Sequence, residues 1–431
     1  MRGRKRLTLA LFALLLMGTI CVSCAPLGSS RTLTVGIYAG SYWGTPTGES
    51  YKVMDDAIAR FTEEHPGVEV KYVSGIGTDS YSEWLAGQIL KGNEPDVYFV
   101  LPEDFNLLVA SGALEPLNEQ ITTDATFDPS VYYDACLLAG VSEECQYALP
   151  YESVPTMMFV NKTILEEHGI PVPDNDWTWE DLYDICAQVT DVEAHQFGIY
   201  GYDWVNALYS NGADLFSEDG RTCYLSDEKI QESIRFVGRL EELNDGYNVT
   251  SRDFDLGRVA FRPFLFSDYR AYQPYPWRVK KYSSFEWECV CMPAGPSGEN
   301  ASELSTMLLG ISARSRNKEL AWEFVKLLSC DEEAQRELYT SSHGISPLIA
   351  VAESEEVLRQ LYESIPGSVD FSGEVVSGIM QAAVVTPRFD KYAQALTMAQ
   401  SAVSEAMSGD QILQSRLQTA QREINIYLSS S

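Results

Sequence analysis

Positive charge is scarce in this chain. Its 431 residues carry 31 Lys and Arg against 62 Asp and Glu, a formal net charge of -31. Nucleic acid and anionic membrane surfaces both need clustered Lys and Arg, so neither is the expected partner. Histidine is scarcer still: His65, His168, His195 and His343 are scattered, and no Cys or His spacing resembles a zinc site. The usual catalytic signatures are missing too. There is no G-x-S-x-G elbow, no H-E-x-x-H, no Walker loop and no G-x-G-x-x-G after a strand. Acidic pairs such as Glu63-Glu64 and Glu103-Asp104 exist, but among so many acids a pair in sequence does not imply two carboxylates held across a glycosidic bond. No internal repeat and no low-complexity tract interrupts the chain, and 45% hydrophobic residues is normal for a globular protein.

What is present begins with a targeting signal. Arg2, Arg4, Lys5 and Arg6 precede the apolar run Leu7–Ile20, which is too short for a comfortable membrane span. Val22-Ser23-Cys24 then resembles a bacterial lipoprotein cleavage site, which implies removal of residues 1–23, acylation of Cys24 and a tether over 24–30. Cys21 stands where that pattern usually has Leu, which leaves plain secretion open. Seven further cysteines remain, and export permits disulfides. Cys136 and Cys145 are near enough in sequence to bridge a loop or to stay free. Cys289-Val290-Cys291 reads as strand, with its two sulfurs expected on opposite faces and therefore poor metal geometry.

The pattern beyond residue 30 alternates strand and helix. Leu33–Tyr38 is a strand, Val53, Met54, Ala57, Ile58 and Phe61 recur at helical spacing, and Val68–Val73 is a second strand. Asp79–Leu90 is helical, and Pro95–Val100 is so apolar that a central position is expected. Such β-helix-β order builds a parallel sheet, whose ligands bind beyond the carboxyl ends of the strands. Tyr42 and Trp43 fall at one such end and Glu103 at another. Further on, Thr178 can cap a helix whose apolar face is Leu182, Ile185, Cys186 and Val189. Two helices close the chain, about Ala393–Met407 and Gln411–Leu428.

The stretch Gln146–Ile170 organises the rest. Pro150 and Pro155 each remove a ladder donor, so one continuous strand is not expected there; a crossing from one α/β lobe to another is. Leu149-Pro150-Tyr151, Val160-Asn161-Lys162, Gly169-Ile170 and Trp177-Thr178-Trp179-Glu180-Asp181-Leu182 together resemble the inter-lobe crossing of bacterial extracellular solute-binding proteins of the sugar-binding, maltose-binding-protein-like type. Gly344–Pro347 resembles a further crossing, and Ala321–Phe324 and Pro387–Tyr392 also match the family pattern.

The resemblance implies an α/β, type II periplasmic-binding-protein fold: two lobes, a ligand cleft between them and hinge crossings. It divides the chain into a first lobe of 31–148 plus 299–345 and a second of 149–298 plus 346–431. It implies a monomeric, non-enzymatic binding component of an ABC importer, without cofactor, lipid-anchored on the extracellular face and working with the transporter's membrane subunits. If Cys24 is not acylated, the protein is periplasmic or secreted. A sensory binding protein and a secreted carbohydrate-active enzyme are the competing classes. Ligand contacts implied by alignment are Tyr42, Trp43, Glu103, Tyr151, Glu152, Tyr202, Trp204, Phe266, Arg388 and Phe389. Trp177 and Trp179 match positions that are structural in the family. Aromatic rings cover the C–H faces of sugars while carboxylates, amides and Arg fix hydroxyls, so a carbohydrate is the expected ligand. Polyamines, peptides and anionic sugars stay open, the last because Arg270, Arg278, Lys280 and Lys281 cluster in an otherwise acidic chain.

Overall fold

The computed structural model describes residues 31–43, 51–271, 285–363, 372–386, 389, 391–408 and 413–430. The leader, the tether, Cys24 and Arg388 lie outside the described residues, as do Arg278, Lys280 and Lys281. Ten strands are described: β1 Arg31–Gly36, β2 Val68–Tyr72, β3 Val97–Val100, β4 Val141–Ser142, β5 Cys145–Gln146, β6 Ala148–Asn161, β7 Phe197–Ile199, β8 Val259–Leu265, β9 Trp287–Val290 and β10 Leu304–Ile311. Eight form one sheet in the order β2-β1-β3-β10-β6-β8-β7, with β9 also on β6; β4 and β5 form a hairpin of their own. β1, β2 and β3 are parallel, as the β-helix-β reading expects, and β10 returns antiparallel between β3 and β6.

β6 joins the two halves, and it departs from the sequence expectation. It is a single strand of 14 residues, all buried, running through both Pro150 and Pro155. The prolines are tolerated because of where they fall. Pro150 pairs with Leu308 beside a register shift between Met307 and Leu308, and Pro155 meets Leu304, the first residue of β10. At a bulge and at a ladder's end a missing N–H leaves no carbonyl waiting. From Thr156 onward β6 exchanges partners and pairs with β8 and β9 instead. β8 likewise continues through Pro263 rather than breaking at it.

Strand alternation then sorts the apolar residues into two cores. Phe159 packs into the first with Leu33, Tyr98, Phe99, Leu308 and Phe324. Its neighbours Met158 and Val160 turn to the second, with Trp179, Phe236, Ala399 and Leu417. The same rule corrects the cysteine expectation. Cys289 and Cys291 are two residues apart, so they share a face; both lie in the first core while Val290 lies in the second. All seven described cysteines are free. Cys136 lies 3.2 Å from the Ser153 hydroxyl and Cys145 donates to Asn118 Oδ1, so these two are not bridged. Among the described residues no group of three or more His, Cys, Asp and Glu is placed to hold a metal ion. No described helix is long and apolar enough to cross a membrane.

One segment packs away from the lobe expected for it. Val351, Leu358, Val376 and Ile379, expected in the second lobe, enter the first core, and the helix Ile349–Ala352 packs on the helix Glu332–Ser341. Ile345 pairs with Ser153 and Leu348 with Tyr132, which keeps Gly344–Pro347 on the first half instead of crossing. The chain reaches the second core after Val384, which bridges Glu303; Ala395, Ala399 and Leu417 of the last two helices are buried there.

Candidate functional site

Two sides of β6 carry space. Ser153 turns toward Cys136 and Thr306, with hydroxyl oxygens 3.0 Å apart in the latter pair. On an extended strand its neighbour Glu152 must face the other way. On the Ser153 side, Tyr133 and Ala135 open onto a cavity of about 2250 Å³ whose far wall includes Tyr209, Phe216, Phe389 and Tyr392. On the Glu152 side lies a space of about 70 Å³, bordered by Tyr38, Tyr151, Glu152 and Ser342.

The smaller space has the more specific chemistry. β1 and β3 are parallel neighbours, so the residues beyond their carboxyl ends converge. Tyr42 donates its hydroxyl to Glu103 Oε2 at 2.7 Å, and Trp43 donates its indole N–H to Glu152 Oε1 at 2.9 Å. The two rings meet edge to face, 4.8 Å between centroids at 83°. Both are half-buried, and Glu103 is exposed. Behind them Tyr151 packs edge-on to Phe99, which in turn meets Tyr38. The indole N–H and the phenol are thus held by carboxylates, while ring surface stays open.

Glu152 is the unusual group. It is only 6% exposed. Burial raises its pKa, opposed by the Trp43 hydrogen bond and by the nearby Ser342 hydroxyl and Gly344 N–H. Its Oε2 is nonetheless buried without a hydrogen-bond partner among the described residues. Glycine at 344 permits this approach: a Cβ there would come within 2.7 Å of Oε2. His343 beside it has its pKa pushed down to about 4, by burial first and Arg270 second. The imidazole is therefore neutral near pH 7.

The structure thus gathers Tyr42, Trp43, Glu103, Tyr151 and Glu152. Of the other expected contacts, Tyr202, Trp204, Phe266 and Phe389 lie elsewhere, and Arg388 is outside the described residues. Tyr202 and Trp204 are each 7% exposed and sit in the second core; the Tyr202 hydroxyl lies 3.5 Å from Ser210 Oγ and its ring meets Phe236 edge-on. Phe266 is fully buried, stacked on Tyr269 and close to Tyr339. Phe389 packs edge-on to Phe216 and borders the large cavity. Trp177 and Trp179 are buried, their indoles bonded to Cys291 O and Ser210 Oγ. Sequence reasoning missed Tyr38, Ser342 and His343. Tyr38 ends the first predicted strand and gave a signal; Ser342 and His343 reach the site from some 300 residues away and gave none.

Two α/β halves joined through a shared central strand, with polar groups and open aromatic rings gathered where strands end, define a two-lobed binding-protein architecture. The chain belongs to the bacterial extracellular solute-binding protein family, whose model matches residues 44–335. A binding protein of Brucella abortus is 21% identical over 344 residues, covering 76% of this chain and 77% of that one. The galactooligosaccharide-binding protein of Bacillus subtilis is 23% identical over 329 residues, 71% of this chain and 72% of that one. Among solved structures, the cyclic α-maltosyl-1,6-maltose binding protein of Arthrobacter globiformis superposes with a TM-score of 0.76 at 17% identity, covering 93% of this chain and 99% of that one.

Proposed function

We propose that this protein is the substrate-binding component of an ABC importer and that its ligand is a carbohydrate, held against the Tyr42–Trp43 pair. The observation that carries this reading is the pairing of two half-open aromatic rings with two carboxylates, Glu103 and Glu152, on their polar atoms. A ring face over a sugar's C–H surface contributes roughly 0.5–1.5 kcal/mol beyond burial, if ring–ring energies are a guide. The exposed Glu103 and the free Oε2 of Glu152 accept from hydroxyls. Relatives whose names specify oligosaccharides support the ligand class.

The space at the site is about 70 Å³, well below the roughly 300–1,000 Å³ of ordinary ligand pockets. Ligand therefore enters a more open arrangement of the two halves and is released unchanged when they part again. Only a ligand that binds one arrangement better than the other shifts the balance between them. The membrane subunits read the closed shape, and acylation of Cys24 keeps the protein beside them.

A thermal-shift and calorimetric screen of the purified protein against mono- and oligosaccharides tests this. A ligand present at about a hundred times its dissociation constant stabilises by roughly 2.7 kcal/mol, which raises the melting temperature. Trp43→Ala is expected to abolish the rise. A panel in which only polyamines or peptides stabilise the protein would overturn the ligand class.

A further inference from the structure

A buried cation with no anion beside it among the described residues stands just behind the site. Arg270 lies on the helix Phe266–Ala271 that follows β8 and is 6% exposed. One nitrogen, Nη2, donates to three carbonyls at the end of the helix Glu332–Ser341: Tyr339 O at 3.3 Å, Thr340 O at 3.2 Å and Ser342 O at 3.1 Å. That fixes the guanidinium plane. Its other two nitrogens, Nε and Nη1, are buried and have no hydrogen-bond partner among the described residues. No described carboxylate pairs with it.

The groups around it are incomplete in the same sense. Ser267 precedes Arg270 by three residues on the same helix, a spacing that puts both on one face. Ser267 and Tyr339 are fully buried, and among the described residues neither hydroxyl has a partner, nor does His343 Nδ1. The guanidinium nitrogens can only donate, and both hydroxyls can donate as well. What the cluster lacks is an acceptor, and a desolvated guanidinium calls for a negatively charged one. Ser342, whose carbonyl holds Arg270, and His343 also border the small space shared with Tyr151 and Glu152. Arg270 is therefore one residue removed from the space beside Glu152, the carboxylate that holds Trp43.

We infer that Arg270, Ser267 and Tyr339 form an oxyanion subsite and that the ligand is an acidic carbohydrate, its ring at Trp43 and its anionic group at Arg270. This rests on the carbohydrate reading above. The oxyanion is a carboxylate, as in a uronic acid, or a phosphoryl group; both present oxygens that a guanidinium edge and two hydroxyls can bind. Among the described residues that border the small space, Glu152 is the one acid. Burial raises its pKa, which lessens its repulsion of such a ligand.

Calorimetry on the purified protein with matched pairs decides the matter: galactose and galacturonate, glucose and glucuronate, their oligomers, glucose 6-phosphate, and inorganic phosphate alone. The expected result is an acidic member binding about 10-fold or more tighter than its neutral partner, since a charge-assisted hydrogen bond readily supplies a tenfold gain. Tyr339→Phe removes only a hydroxyl that has no partner, so it should keep the melting temperature and shrink the preference. Arg270→Gln should erase the preference. If Arg270 merely ties down a helix end, Arg270→Gln lowers the melting temperature, Tyr339→Phe changes nothing, and acidic and neutral sugars bind alike. That result overturns the subsite and leaves the carbohydrate reading standing. A preference for the sugar phosphate keeps the subsite and assigns the phosphoryl group. Inorganic phosphate binding that Arg270→Gln abolishes, with no sugar bound, keeps the subsite and overturns the carbohydrate. No binding by any probe overturns both.

Discussion

Tyr42 and Trp43 follow β1 much as Tyr202 and Trp204 follow β7, yet the two pairs meet different surroundings. The first pair keeps ring surface open, and its polar atoms are answered by carboxylates, one of which has an oxygen left over. The second pair is sealed: Trp204 begins a helix capped by Asp203, which accepts from the N–H groups of Val205 and Asn206, and Tyr202 and Trp204 are both buried in the second core. Aromatic residues at strand ends therefore do not by themselves mark a binding surface. Incomplete hydrogen bonding beside open ring area is the better mark.

That contrast can be broken. The largest expected effect is on stability: Trp204→Ala should cost about 3–5 kcal/mol in denaturant unfolding, the usual range for deleting a buried aromatic, while Trp43→Ala should cost far less. Equal losses would erase the distinction. Next, Glu152→Gln should weaken ligand binding by calorimetry roughly 10- to 100-fold, the equivalent of about 1.5–3 kcal/mol for a hydrogen bond to a charged group. Unchanged affinity would remove Glu152 from the site.

The same variant sharpens the picture through pH. Burial raises the Glu152 pKa above the ordinary 4.5, so the folded state holds this proton more tightly than the unfolded chain. Its contribution to stability is fully present below the ordinary value and is lost as pH rises through the folded one. Wild type should therefore match Glu152→Gln in acid and fall behind it toward neutrality, as read from urea midpoints across that range. A gap that widens in the other direction would mean the carboxylate is better solvated than the structure shows. The smallest effect is expected from Tyr202→Phe. Its hydroxyl lies 3.5 Å from Ser210, too long for a strong bond, so stability should change by about 0.5 kcal/mol or less and binding not at all.

Much of this was legible in the sequence because it is local. Apolar spacing found the helix Lys52–Glu64, and Thr178 with Asp181 forms the capping box its position suggests. Trp43 and Glu103 were expected together because parallel strands end together, whereas Tyr151 came only from the family resemblance. What escaped notice depends on pairing at a distance. Pro150 and Pro155 look like breakers until β10, some 150 residues later, supplies a bulge opposite one and an end opposite the other. Val351, Leu358, Val376 and Ile379 were expected in the second lobe but enter the first core, and amphipathic spacing does not say which core a helix joins. The unpartnered atoms of Arg270 and Ser267 are visible only in three dimensions.

The shared strand also bears on how the molecule comes to be folded. β10 lies between β3 and β6, so the first half cannot close its sheet until Leu304–Ile311 arrive, after the whole β6–β9 region has been made. β6 in turn lends its second stretch to the other half. Neither half is a finished unit alone, and pairings so distant in sequence are slow to find. The chain should therefore stay unlocked through most of its synthesis, the condition in which a polypeptide is most readily threaded across a membrane, and then lose its structure as one body when denatured.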